Sequence, residues 1–336
     1  MRAMYVKAPY NFQLREIERP VPGPDEVLIK IEACGICGTD FHVAGKLACD
    51  WMPIGHEFVG SIAELGSNVQ GYRIGEEVIA QNATYWGICE DCMNGHPEHC
   101  ENIYTMNDQP GYAEYICMHK KSLHPFEGLT FPQATLAEPL TVALDLVQVA
   151  DIPLDANVAV LGAGPIGLMA VKLAKLRGAR KVYLSNPSER SARFKLGRKL
   201  GADVLLEADK EHVVETIKAD LPRGVERVLV TAPPKTLLEA IEIAKYGGII
   251  AFIGIEYGEE AEITFDVNHF HFKKLQLRAS FAVPNMYFPI ALDLLERRVI
   301  DPDAFITHTV RLQDVPEFMK NVSKYRNEMI KAVVIP

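Results

Sequence analysis

The run Val158-Ala-Val-Leu161 leads directly into Gly162-Ala-Gly164-Pro165-Ile166-Gly167, and Leu168–Lys175 then carries apolar residues at helical spacing. A lone G-x-G-x-x-G is weak. Strand, glycine turn and helix, followed by the second strand pattern Lys181-Val-Tyr-Leu184, give it the context of a dinucleotide fingerprint. The glycines let the backbone approach a pyrophosphate, which sits where the unpaired N–H groups of the helix start point outward. Arg227-Val-Leu-Val230, a helix over 235–245, Gly247-Gly248 and the strand Ile249–Ile253 repeat the alternation. Such a βαβ series predicts a doubly wound parallel sheet.

The first half reads differently. Val27–Ile31, Phe58–Leu65 and Gly75–Ala80 are short β-rich runs separated by proline and glycine turns, the pattern of a barrel-like β domain. Between them stands C-G-I-C-G-T-D-F-H from Cys34, followed by Gly55-His56-Glu57, all expected on loops. A thiolate (Cys37), an imidazole (His56) and a carboxylate (Glu57) are the ligand types of a catalytic zinc site with one open position. The bland alternative is a scatter of unrelated side chains. The glycine-flanked clustering, with Thr39 and His42 alongside, argues against it. Further on, Cys89, Cys92 and Cys100 are spaced to grip one ion, but a closed structural zinc needs a fourth ligand. His96, His99, Asp91 and Glu90 are the candidates. Glu138, ahead of Pro139, either marks the start of the helix predicted to run to Val149 or faces the metal. Ile290–Glu296 reads as an amphipathic helix and Lys331–Ile335 as a closing strand.

Composition removes several alternatives. The 336 residues suit about two domains, and a net charge of -9 with a pI near 5.6 gives no basic field for nucleic acid. No apolar run is long enough for a membrane span, and the N-terminus lacks a signal core. Seven cysteines, an odd number at metal-like spacings, fit a reducing cytoplasm better than a disulfide scaffold.

Together these motifs, in this order, resemble the zinc-dependent medium-chain alcohol and polyol dehydrogenases over essentially the whole chain. The shared motifs include A-E-P-L at Ala137 and I-T-H at Ile306. The resemblance implies a GroES-like catalytic zinc domain (1–146), a Rossmann domain (147–283) and a C-terminal return to the first domain (284–336). It implies Cys37 and His56 as catalytic zinc ligands, with Glu57 and Glu138 as carboxylates that bind the metal or hold its water. It makes Thr39 the hydroxyl that takes the substrate proton, His42 the outer end of the relay, and Asp40 a residue that orients a ligand imidazole. Gly162, Gly164, Pro165, Ile166, Gly167, Ser185, Asn186, Arg190, Arg193, Thr231 and Ile253 are the expected cofactor surface.

Three departures qualify the likeness. The first of the family's four lobe cysteines falls at Trp86, which leaves a structural zinc on Cys89, Cys92 and Cys100 without its fourth ligand. The ribose-binding acid after the second Rossmann strand is absent: the chain reads Ser185-Asn186-Pro-Ser188-Glu189-Arg190, which leans towards NADP over NAD. The Arg-Tyr pair of sorbitol-type enzymes is reduced to Tyr287.

The expected activity is hydride transfer between NAD(P) and a secondary alcohol of a polyol, cyclitol or sugar acid, in a homodimer or homotetramer. An L-threonine or simple alcohol dehydrogenase is the alternative within enzymes. A nucleotide-binding regulatory relative is the alternative outside them, and it would be expected to lose ligands or relay groups that are all present here.

Overall fold

A computed structural model describes residues Met1–Pro336. Two compact units divide the chain: Met1–Thr141 with Ala282–Tyr325 and Lys331–Pro336, and Val142–Phe281 with Arg326–Ile330.

In the first unit the strand Glu26–Gly35 is the organising element. Its β-branched run is buried almost throughout, as expected of a strand covered on both faces. It pairs antiparallel with Glu57–Leu65, with Tyr115–His119 and with the C-terminal strand Lys331–Ile335, which in turn runs parallel to Ile306–Arg311. Gly35 has Glu57 as its partner on one side and Val333 on the other. This register brings positions some three hundred residues apart to one point. Glu77–Ala80, paired with Glu57–Leu65, and Leu123–Pro125 beyond it fill out this seven-stranded sheet; a three-stranded sheet, with Arg2–Lys7 between Asn11–Glu16 and Met52–Pro53, and the two-stranded pair Ala83–Tyr85 and Ile103–Thr105 complete the unit's β structure.

The second unit holds a six-stranded, wholly parallel sheet. Its order is Val204–Glu207, Lys181–Asn186, Asn157–Leu161, Val225–Val230, Ala244–Phe252, Gln276–Ala279. Helices Pro165–Leu176, Ser191–Leu200, Val213–Asp220 and Leu237–Ile243 lie between successive strands. Ala159, Tyr183, Val228 and Ile250 pack with Ile217 and Ile241 into one core. The expected doubly wound sheet is therefore present.

Local differences have physical reasons. The cysteine motif is not a loop: Cys37 is the N-cap of the helix Gly38–His42, because the Asp40 carboxylate folds back onto the Cys37 amide in a capping box. The helix expected over 235–245 is only Leu237–Ile243, preceded by a 3-10 turn at Pro234–Thr236. Its last expected residues join the following strand, Ala244–Phe252, which runs through both glycines. No helix is long and apolar enough to cross a membrane, and all seven cysteines are free thiols.

Candidate active site

Cys37, His56 and Glu57 offer Sγ, a ring nitrogen and a carboxylate oxygen within 4.8 Å of one another. Cys37 is fixed by its helix cap, and Glu57 by the first residue of its strand. The carboxylate has room because position 35 is glycine: a Cβ there would lie 2.0 Å from Glu57 Oε2. Asp40 is buried and accepts hydrogen bonds from the Cys37 amide (2.8 Å) and the Tyr112 hydroxyl (2.6 Å). Its Oδ1 lies 3.6 Å from His56 Nδ1. Burial works to raise the Asp40 pKa, but His56, Tyr112 and the Cys37 amide outweigh it and hold the carboxyl below its usual range.

Sequence reasoning missed Lys331. Read in sequence, it is the charge that opens an apolar strand. In the fold it is only 3% exposed and donates to Glu57 Oε1 at 2.6 Å, with Oε2 also 2.5 Å away. Burial acts to lower its pKa, yet Glu57 and Cys37 more than compensate and raise it. Glu57 Oε2 is buried and faces the Lys331 ammonium, with no further hydrogen bond.

Glu138 stands near the start of the helix Ala137–Ala150, buried, and its Oε1 accepts from Asn82 Nδ2 at 3.4 Å. It lies outside the tight cluster of Cys37, His56 and Glu57. Burial, and then the charge of Glu57, push its pKa up to about 7. Thr39 Oγ1 is 3.7 Å from Cys37 Sγ, and His42 follows it by three positions on the same helix face. Thr39, His56 and Asn82 line a cavity of about 480 Å³, within the usual range for small-ligand sites.

The second cluster is built from sulfur alone. Cys89 Sγ lies 3.3 Å from Cys92 Sγ and 3.6 Å from Cys100 Sγ. The Trp86 amide donates to Cys100 Sγ at 3.4 Å, so the backbone at this position faces the sulfurs where a fourth cysteine is missing. His96 and His99 gather with Glu98 in a separate exposed group, and neither Asp91 nor Glu90 joins the sulfurs.

In the second unit the glycine turn has the expected shape. Gly162 takes a left-handed φ of 109°, and a Cβ there would lie 2.7 Å from Thr231 Oγ1, which itself donates to Gly162 O at 2.9 Å. Gly164 caps the helix Pro165–Leu176, with open space where its Cβ would be. A cradle of this kind fits a pyrophosphate at the helix start. Pro165 and Ile166 open that helix, Gly167 packs it onto Gly162 O, and Ile253 follows the strand Ala244–Phe252. Asn186 Oδ1 accepts from the Ala163 amide at 3.3 Å, so its side chain braces the turn. Ser185 is buried at the strand end. Arg193 Nε donates to Met329 O at 3.1 Å. Burial, then Arg190, depress the Arg193 pKa to about 10, and burial, then Arg326, lower that of Arg190. Neither arginine has a carboxylate partner, whereas Glu189 pairs with Arg326 at 3.3 Å.

The family described as alcohol dehydrogenase GroES-like domain matches residues 23–128, and zinc-binding dehydrogenase matches 165–297. A scyllo-inosose 3-dehydrogenase of Thermotoga maritima is 33% identical, over 92% of this chain and 86% of its own. An L-threonine 3-dehydrogenase of Rhizobium etli is 30% identical, over 92% and 91%. A solved zinc-binding dehydrogenase from Sinorhizobium meliloti, bound to NADP, superposes with a TM-score of 0.87 at 29% identity, covering 100% and 99%. The chain belongs to the zinc-dependent medium-chain dehydrogenase family. It is a zinc-containing, NAD(P)-dependent alcohol or polyol dehydrogenase acting on small molecules.

Proposed function

We propose that the enzyme oxidises a secondary alcohol of a polyol or cyclitol reversibly to the ketone, with Cys37, His56 and Glu57 holding its catalytic zinc. The observation that carries this reading is the gathering of a thiol, an imidazole and a buried carboxylate within 4.8 Å of one another. A divalent cation shared by Cys37, His56 and Glu57 would engage all three donors at once. The donor set fits zinc. When bound, zinc supplies a Lewis acid that lowers the pKa of an alcohol, and the nicotinamide supplies the hydride acceptor.

The chain's own residues do the rest. Asp40 holds the Cys37 amide, and through Nδ1 it favours one orientation of the His56 ring. Thr39 Oγ1 receives the substrate's hydroxyl proton and passes its own towards the His42 ring. Lys331 balances one charge of Glu57, and Glu138 is a nearby second carboxylate, not one of the three clustered donors. Cys89, Cys92 and Cys100 take no part in the chemistry.

NADP is the preferred cofactor in this reading. The end of the strand Lys181–Asn186 presents no carboxylate to repel a 2′-phosphate. Asp209, on the loop after the neighbouring strand, is bound to the Ser188 amide (2.6 Å) and hydroxyl (2.8 Å). The guanidinium groups of Arg190 and Arg193, neither held by a carboxylate, suit bidentate phosphate contacts.

A dimer through the sheet edge is the matching assembly. Phe272 and Phe281, each 68% exposed, flank the edge strand Gln276–Ala279, and an open edge beside exposed aromatic rings favours pairing with a second copy.

A panel of polyols, cyclitols, sugar acids, L-threonine and simple alcohols, read by the absorbance of reduced cofactor with NAD and NADP in turn, tests the reading. Turnover fastest on a polyol or cyclitol is expected; turnover confined to L-threonine would overturn it.

A further inference from the structure

The cavity beside Thr39 and His56 is also lined by the loop Met106–Gln109. This loop is stiff. Asn107 and Asp108 both take left-handed φ values, 50° and 57°, which asparagine and aspartate tolerate better than most residues. Thr105 Oγ1 accepts from the Asn107 amide at 3.2 Å and bonds Asn107 Oδ1 at 3.3 Å. Gln109 is occupied at both ends of its amide: Nε2 donates to Met106 O (3.0 Å) and Cys117 O (2.9 Å), and Oε1 accepts from the Cys117 amide (2.9 Å).

The polar side chains around Asp108 thus hold the loop's shape. The Asp108 carboxylate is exposed, lines the cavity, and takes part in no hydrogen bond or ion pair within the chain. No lysine or arginine lines the same cavity, and the second carboxylate on its wall is Asp40.

We infer that Asp108 determines specificity: its two oxygens accept two neighbouring hydroxyls of an uncharged polyol or cyclitol, and its charge turns away substrates bearing a carboxylate or phosphate. The inference rests on the dehydrogenase reading above and narrows its substrate class. Two carboxylate oxygens can accept two O–H bonds at once, and such charge-assisted bonds are roughly twice as strong as neutral ones. An anionic substrate would meet the Asp108 carboxylate with no lysine or arginine on the same wall, and like-charge juxtaposition is an effective means of rejection. The zwitterion of L-threonine would satisfy Asp108 through its ammonium group and leave its own carboxylate without a cationic side chain.

Asp108→Asn keeps the size and the tolerance for left-handed backbone while removing the charge. Asp108→Lys reverses the charge at an exposed position. Both variants are first checked for wild-type thermal stability, and Asp108→Asn alone carries the test if the lysine variant fails that check. Binding of sorbitol and of D-gluconate to the zinc- and cofactor-loaded proteins is measured by calorimetry, alongside kcat/KM for sorbitol, gluconate and 2-butanol. Expected in the wild type is a preference for sorbitol over gluconate of at least about tenfold, the lower range for a charged hydrogen bond. Asp108→Asn should lower kcat/KM for sorbitol relative to 2-butanol by a similar factor, and Asp108→Lys should narrow or invert the sorbitol–gluconate ratio. A wild type that prefers gluconate, or ratios that both variants leave unchanged, would overturn the inference. Sorbitol binding that depends on Asp108 without turnover of any alcohol would count against the dehydrogenase reading and uphold this one.

Discussion

Two clusters of metal-ligand side chains lie in the same unit, and they differ in what surrounds them. Cys37, His56 and Glu57 mix a thiol, an imidazole and a carboxylate beside a cavity, with Thr39 and His42 on the neighbouring helix and a buried lysine behind. Cys89, Cys92 and Cys100 present three sulfurs to one another, with the Trp86 amide on the third, and the neighbouring cavity, lined by Trp86, Asn102, Ile103 and Tyr104, is walled by none of them. Closely spaced donors can hold an ion in either place. Only the first set places one of its own donors, His56, on a cavity wall with a hydroxyl, Thr39, beside it. Ligand spacing signals a metal, and the cavity and the hydroxyl beside the ligands signal chemistry.

Removing a donor from each cluster should separate them most sharply. Cys37→Ser is expected to lower kcat/KM by about a thousandfold or more, of the order seen when a transition-state stabiliser is removed, with NADP binding retained by fluorescence titration. Normal turnover in that variant would break the comparison at its root.

Lys331 offers a test of the buried charge behind the first cluster. In the zinc-free protein, Lys331→Met leaves Glu57 buried without a cation and should destabilise the fold by about 3–5 kcal/mol. In a thermal melt this reads as roughly 6–20 °C, by the scaling for domains of this size. Adding Glu57→Gln should recover part of that loss. A double variant no more stable than Lys331→Met would mean the two charges are not coupled.

Cys92→Ser should lower the melting temperature by less than Lys331→Met does, because it leaves no buried charge behind, with kcat of the surviving enzyme near wild type. The smallest effect is expected at the cofactor. Arg190→Ala with Arg193→Ala should shift the NADP-to-NAD ratio of kcat/KM by about tenfold, in line with the removal of one charged hydrogen bond. An unshifted ratio would make both arginines ordinary surface residues.

The sequence made some of this legible and hid the rest for a reason. The glycine turn at Gly162–Gly167 is a local signal, since strand, turn and helix adjoin in the chain, and the parallel sheet followed from it. Cys37, His56 and Glu57 were legible because two short motifs carry them. Lys331 was not: it lies 274 positions from Glu57, and only the strand register at Gly35 brings them together. Tyr112, which fixes Asp40 across 72 positions, was hidden for the same reason. Asn186 was legible as a strand-end residue, but its commitment to the Ala163 amide depends on the turn's geometry. Asp108 gave no sequence signal beyond an Asn-Asp turn, because a free carboxylate is recognised only once its neighbours are seen to be engaged.

The central claim is that the mixed cluster, and not the sulfur cluster, holds the metal that turns over substrate. Its most direct test is zinc content by elemental analysis, paired with polyol-dependent NADP reduction, in the wild type, Cys37→Ser and Cys92→Ser. The account predicts that Cys37→Ser loses one equivalent of zinc together with turnover, while Cys92→Ser keeps its turnover whatever its zinc content. Full turnover in Cys37→Ser, or its abolition in a folded Cys92→Ser protein that retains the Cys37 zinc, would contradict it.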